Sequence, residues 1–169
     1  MADSRQVTMK GNPLPLEGKD VQVGQTAPDF SLTGIDMKTV TLGDTSGVRI
    51  FSIVPSLDTP VCDAQTRRFN EAAAELGNVT IYTVSRDLPF AQKRWCGAAG
   101  VDKVVTLSDY KDGNFGLAWG VMIEPLKIFA RAVYVVDADN KVTYGQLVPE
   151  VAEHPDYDAA LAAAKAASA

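Results

Sequence analysis

The chain has 169 residues, 46% of them hydrophobic, and a formal net charge of −5, which supplies one full core and too little length for two independent ones. With no lysine–arginine block to offset that acidity, a nucleic acid or other polyanion partner is disfavoured. Residues 1–12, MADSRQVTMKGN, lack the apolar stretch of a secretion signal, and no later run reaches the length of a membrane span, so a single cytoplasmic domain over residues 1–169 is expected.

In chain order, residues 6–22 carry spaced apolar positions around Gly11-Asn12-Pro13, which predicts an N-terminal hairpin covering one edge of a sheet. A loop around Pro28 and a short strand over 39–42 follow. Residues 48–54 form a continuous apolar run, the pattern of a strand buried on both faces. A helix is predicted from Pro60 towards Leu76, with Gly77 closing it; Val61, Phe69, Ala72 and Leu76 recur on one side while Arg67, Arg68, Glu71 and Glu75 take the others. The apolar run at 79–84 completes a parallel βαβ unit. A shorter helix over 89–95 closed by Gly97, a strand over 104–107 and a helical turn or two over 113–119 come next. Strands at 131–136 and 141–147 flank Asp137-Ala138-Asp139-Asn140, which reads as a hairpin turn because it lacks the glycine and terminal glutamate of an EF-hand loop. An alanine-rich helix over 157–166 ends the chain. The order β-α-β-α-β-β-α with an added N-terminal hairpin predicts a thioredoxin-like α/β three-layer sandwich with a central mixed sheet.

The stretch FSIVPSLDTPVCDAQTRRF, residues 51–69, concentrates the chemistry. Pro55 stops the strand, Thr59 is a good N-cap, Pro60 suits the first helical position, and Cys62 falls about third. Its sulfur then meets unpaired backbone N–H groups and the positive end of the helix dipole, which favour the nucleophilic thiolate. Two cysteines in a reducing compartment fit a reactive or redox-cycling pair better than a permanent staple. Cys62, Cys96 and one histidine cannot assemble a zinc site from sulfur and imidazole, and neither metal nor other cofactor is expected.

The spacing Pro55-x-x-x-Thr59-x-x-Cys62 within PSLDTPVC resembles the active-site loop of the peroxiredoxins, specifically their thiol peroxidase branch. The resemblance extends to VGQTAPDF at 23–30, DLPFAQKRWCG at 87–97, Ala130-Arg131-Ala132 and LVPE at 147–150, and so covers nearly the whole chain. Trp119 stands where tyrosine is the family's usual residue and Arg86 where a small or apolar one is common; both are expected at the pocket rim. The resemblance implies reduction of hydrogen peroxide and of alkyl and lipid hydroperoxides, a sulfenic acid at Cys62, resolution by Cys96 as an intramolecular disulfide, recycling by thioredoxin, and a homodimer.

Ionisation alone does not explain fast peroxide reduction, because a thiol's intrinsic nucleophilicity falls as its pKa falls. Donors must be aimed at the charge that develops on the leaving oxygen. Candidates are the backbone N–H groups of Val61 and Cys62, the Thr59 hydroxyl donating to sulfur or peroxide, and Arg131. A cation opening a strongly apolar strand is costly unless it has an assigned partner, and the resemblance places the family's arginine on this segment. Pro55 would shield the sulfur and fix the loop. Blander roles are open: Thr59 as a cap alone, Arg131 snorkelling from a strand end, Asp58 as a turn residue, Cys96 packing beside Trp95, Lys93 and Arg94 on a solvated face instead of ionising Cys96.

Cys96 lies 34 positions after Cys62, so the pair is no local dithiol. Two helices presenting their thiols to different surroundings do not bring Cα atoms within the about 7 Å a disulfide needs, so the short second helix and the first turn at Cys62 are predicted to unwind. A cysteine hydrolase would need His154 as its base, and a non-enzymatic redox switch would show one oxidation without turnover. Phe90, Trp119, Met122 and Ile123 are candidates for a substrate groove or a subunit contact, or for the core.

Overall fold

A computed structural model describes residues 5–100 and 103–168. The chain runs through β1 (Gln6–Met9), β2 (Asn12–Glu17), β3 (Ser31–Gly34), β4 (Thr39–Thr41) and β5 (Val48–Ile53) into helix α1 (Pro60–Leu76). It continues through β6 (Val79–Ser85), α2 (Pro89–Ala99), β7 (Val105–Ser108), α3 (Asn114–Ala118) and β8 (Met122–Ile123). The hairpin β9 (Ala132–Val136) and β10 (Val142–Leu147) and helix α4 (Tyr157–Ser168) complete it. Seven strands form one mixed sheet in the order β10-β9-β5-β6-β7-β3-β4, with β5, β6 and β7 parallel.

Every residue of β5 is buried, because alternate side chains serve two cores. Val48 and Ile50 join Phe69, Ile81, Val133 and Ala160 under α1 and α4. Phe51 and Ile53 face the other way, into an aromatic group with Phe115, Trp119 and Tyr134. Full burial of a side chain such as Phe69 or Ile81 contributes about 1.5–3 kcal/mol, and α4 is held this way across β5, β9 and β10. The result is the expected mixed α/β layering, with helices over both faces of the sheet.

Several expectations are corrected. The N-terminal hairpin does not flank the large sheet; β2 pairs with β8 in a separate three-stranded sheet, β1-β2-β8, because Val7 and Leu16 bury against Ile123, Ala130 and Val151. Helix α2 runs on to Ala99: Gly97 continues the helix, and Gly100, at φ 68°, takes the left-handed cap that glycine adopts without penalty. The segment after Pro28 contains a strand, β3, paired with β4 and β7. Trp119 is no rim residue. It is fully buried, stacked on Phe115 at 5.0 Å and edge-on to Tyr134 at 5.4 Å. Met122 and Ile123 are core as well, whereas Phe90 is 69% exposed. Asp137-Ala138-Asp139-Asn140 closes the β9–β10 hairpin as expected: Asp137 Oδ1 accepts from Asp139 N and Lys141 N at 2.9 Å each, and Asn140 sits at φ 62°.

Candidate active site

The parallel pair β5 and β6 ends at Ile53 and Val84, and the antiparallel register Ile53↔Ala132 brings Arg131 to the same end of the sheet. There Pro55, buried, turns the chain into α1. Thr59 is the N-cap in extended conformation (φ −93°, ψ 148°), Pro60 is the first helical residue, and Cys62 is the third. The Thr59 hydroxyl accepts from Cys62 N at 3.4 Å and donates to Ser56 O at 3.1 Å. Donation to the sulfur is therefore not what this conformation shows: a hydroxyl has one proton, and the Ser56 carbonyl holds it. The Val61 N–H has no acceptor among the described residues.

Cys62 has no exposed surface and packs with Val54, Leu57 and Trp95. Beside it lies an apolar cavity of about 460 Å³, walled by Met9, Lys10, Pro55, Thr59, Ile128, Arg131 and Val151 among others. Cys62 itself, fully buried, is not among the residues that line it.

Arg131 is 1% exposed. Its Nε donates to Val151 O at 2.9 Å and its Nη1 to Gln65 Oε1 at 3.0 Å, while Gln65 Nε2 donates to Ser52 Oγ at 2.7 Å. Among the described residues it forms no ion pair. A buried guanidinium fixed by neutral acceptors keeps its charge available to an anion that arrives. Burial pushes the nearby Tyr157 hydroxyl up, while Arg131 and Arg68 pull it down.

Asp87 was not visible as a site residue in the sequence. Its Oδ1 accepts from Ser56 Oγ at 2.7 Å, and its Oδ2 from Leu57 N at 2.8 Å and Ser85 Oγ at 2.7 Å. One carboxylate thus clamps the loop that precedes Cys62 to the end of β6. An aspartate two residues ahead of Pro89 reads as an ordinary helix-start residue, and no local signal marks its long-range partners. Gln65 escaped for a similar reason, since it occupies a helix position otherwise apolar.

Cys96 is half-buried on α2, and both cysteines are free thiols. It lines a separate space of about 350 Å³ with Ile35, Val40 and Val104. Burial pushes its pKa up, partly offset by a contact with Thr106 Oγ1 at 3.9 Å. Lys93 and Arg94 are exposed and do not govern it. Arg86 braces loops by donating to the carbonyls of Asp109, Lys127 and Tyr110 at 3.0, 2.9 and 3.3 Å, and it is absent from the cavity wall. Asp58 is exposed, its N–H donating to Ser56 Oγ at 3.2 Å. His154 is exposed with Nδ1 2.7 Å from the Tyr157 hydroxyl. It lines a surface pocket with Arg67, Arg68 and Glu71 of α1 and is absent from the wall of the cavity beside Cys62. No group of three metal-ligating side chains and no helix long and apolar enough to cross a membrane occurs among the described residues.

Residues 22–161 match the Redoxin family. The chain is 56% identical over 162 residues to a thiol peroxidase of Halalkalibacterium halodurans, covering 95% of this chain and 98% of that one. It is 53% identical to a thiol peroxidase of Bacillus subtilis, over 95% of this chain and 97% of the relative. Among solved structures, a peroxiredoxin-like protein from Aquifex aeolicus superposes with a TM-score of 0.90 at 40% identity, covering 96% of each chain. A thiol peroxidase from Chromobacterium violaceum shares the fold, with a TM-score of 0.86 at 21% identity over 94% of each chain. Likeness of this extent to proteins so named, together with a cysteine set at a helix mouth beside a buried arginine, places the chain in the Redoxin family, among its thiol peroxidases.

Proposed function

We propose that the chain, acting as one domain, is a peroxidase that reduces hydroperoxides at Cys62, resolves the product with Cys96 and is recycled by thioredoxin. The observation that carries this is a buried arginine with no carboxylate partner among the described residues, set in a cavity wall beside a cysteine in the first turn of α1. The thiolate sulfur attacks one peroxide oxygen, the O–O bond breaks, and the displaced oxygen leaves as an alcohol or water after taking a proton; sulfur is left as sulfenic acid. Arg131 and the free Val61 N–H stabilise the oxygen that becomes negative. Thr59 caps the helix and turns its proton from Ser56 O to the substrate, and Pro55 fixes the loop and shields the sulfur. Cys96 then attacks the sulfenic sulfur, releasing water and leaving a Cys62–Cys96 disulfide, which a dithiol reductant opens by exchange.

The apolar cavity supports alkyl and lipid hydroperoxides as substrates alongside hydrogen peroxide. Exposed Leu88 and Phe90 at the start of α2 support a homodimer contact, and a dithiol reductant supports residence in a reducing cytoplasm. Stopped-flow consumption of hydroperoxide with thioredoxin recycling tests the reading. Cys62→Ser is expected to lose all turnover and Cys96→Ser to consume a single equivalent without recycling. Sustained turnover by Cys62→Ser would overturn it.

A further inference from the structure

The two thiols sit in different surroundings. The Trp95 indole packs with Leu57 and Cys62, whereas Cys96 lines a separate space with Ile35, Val40 and residues 104–107. A disulfide needs Cα atoms within about 7 Å and converging Cβ vectors, so α2 must let go of this packing before the sulfurs meet.

A compact set of contacts holds it. Trp95 Nε1 donates to Asp63 Oδ1 at 3.0 Å, and Arg67 Nε donates to Asp63 Oδ2 at 2.8 Å. Arg67 Nη1 donates to the Ala99 carbonyl, in the last turn of α2, at 3.1 Å, and its Cζ lies 5.7 Å from the Trp95 ring centroid. Eleven residues make a helix too short to persist without tertiary contacts. We propose that Trp95, Asp63 and Arg67 are positioning residues that keep the Cys96 helix folded and thereby set how the Cys62 sulfenic acid partitions between resolution and further oxidation.

This rests on the reading of Cys62 and Cys96 given above. In resolution, the Cys96 sulfur attacks the sulfenic sulfur, the S–S bond forms, and the S–O bond breaks with release of water. In the competing step the sulfenic sulfur attacks a second hydroperoxide, the O–O bond breaks, and sulfinic acid and an alcohol form. The first step waits on α2 and is independent of peroxide concentration; the second rises in proportion to it. A tighter hold on α2 slows only the first.

The test uses the full chain, mixed with hydroperoxide, quenched in acid, alkylated and weighed by mass spectrometry over time. Arg67→Gln removes the links to Asp63 and Ala99 without touching Cys62, Thr59 or Arg131. Trp95→Phe keeps an aromatic ring against Cys62 and removes the N–H. Both are expected to form the disulfide about fivefold to tenfold faster than the unmodified protein, the effect of losing a charge-assisted hydrogen bond. The sulfinic fraction at a fixed peroxide excess falls by a similar factor, and Arg67→Gln leaves the first oxidation rate unchanged. Added salt speeds resolution in the unmodified protein and not in Arg67→Gln, because the Asp63–Arg67 pair is open to screening. Equal disulfide rates in all three proteins overturn the proposal. Failure of the underlying reading looks different: Cys96 would stay a free thiol in every protein after one equivalent of peroxide, and both ideas would fall.

Discussion

Substitution of Asp87 separates positioning of the Cys62 loop by β6 from positioning by its own turn. In Asp87→Asn, the amide oxygen can keep Leu57 N and Ser85 Oγ while the amide nitrogen donates to Ser56 Oγ, now an acceptor. All three links described above survive, and the loss is charge assistance, about 1 kcal/mol. In Asp87→Ala, the Leu57 N–H, on a residue 2% exposed, loses its acceptor, and a buried donor left unpaired costs about 1–3 kcal/mol before the two hydroxyls are counted. Leu57 packs directly on Cys62, so a displaced loop displaces the sulfur, and a shift of about 1 Å costs on the order of 100-fold in rate. The expected result is a fall of about 10- to 100-fold in kcat/KM for Asp87→Ala with the far-UV circular dichroism preserved. Asp87→Asn should stay within about threefold of the starting rate, the weight of under 1 kcal/mol in a barrier. Urea denaturation should show lower midpoints in the same order at constant m. An Ala variant with undiminished turnover, or an Asn variant as impaired as Ala, would refute the clamp.

Arg131→Lys keeps the charge but cannot fork between Gln65 and Val151, so kcat/KM should fall about tenfold, and Arg131→Met by about 100-fold or more; equal activity of Lys and Met would show that charge at this position is irrelevant. Burial pushes the Asp109 carboxyl up to about 6 from 3.8, against hydrogen bonds from Gly116 N and Phe115 N. The folded state therefore binds the proton more tightly than the unfolded one, and this contribution to stability is full below pH 4 and disappears as pH rises through 6. Asp109→Asn should gain on the order of 2 kcal/mol relative to the unmodified protein between pH 4 and pH 7; denaturation series with parallel pH profiles would contradict it. Ile128→Asp places a charge in the apolar wall of the cavity and should raise KM for a bulky organic hydroperoxide at least tenfold more than for hydrogen peroxide, as expected for a buried unpaired charge. Matching changes for both substrates would remove the cavity from substrate binding.

The parts of the fold governed by local rules were readable from the chain. Apolar runs gave β5 and β6, and the order Thr59-Pro60 gave the start of α1 and hence the placement of Cys62. Features made by distant partners were not. Trp119 near a loop looked like a rim residue because nothing local reveals that Phe115 and Tyr134 close over it. The hairpin's partner, β8, is two residues long and carries no periodicity. Gln65 and Asp87 gain their meaning from Arg131 and Leu57, which lie 66 and 30 positions away. Thr59 shows a subtler limit, since its residue type announces the cap but not which way its single proton turns.

The outer wall of the cavity is contributed by Met9 and Lys10, at the tip of a sheet that shares no strand with the seven-stranded one. One cavity is thereby walled jointly by two sheets. Thr8 O accepts from Val151 N at 2.8 Å and Val151 O accepts from Arg131 Nε at 2.9 Å, so a change at the β1–β2 tip is one residue away from the buried guanidinium.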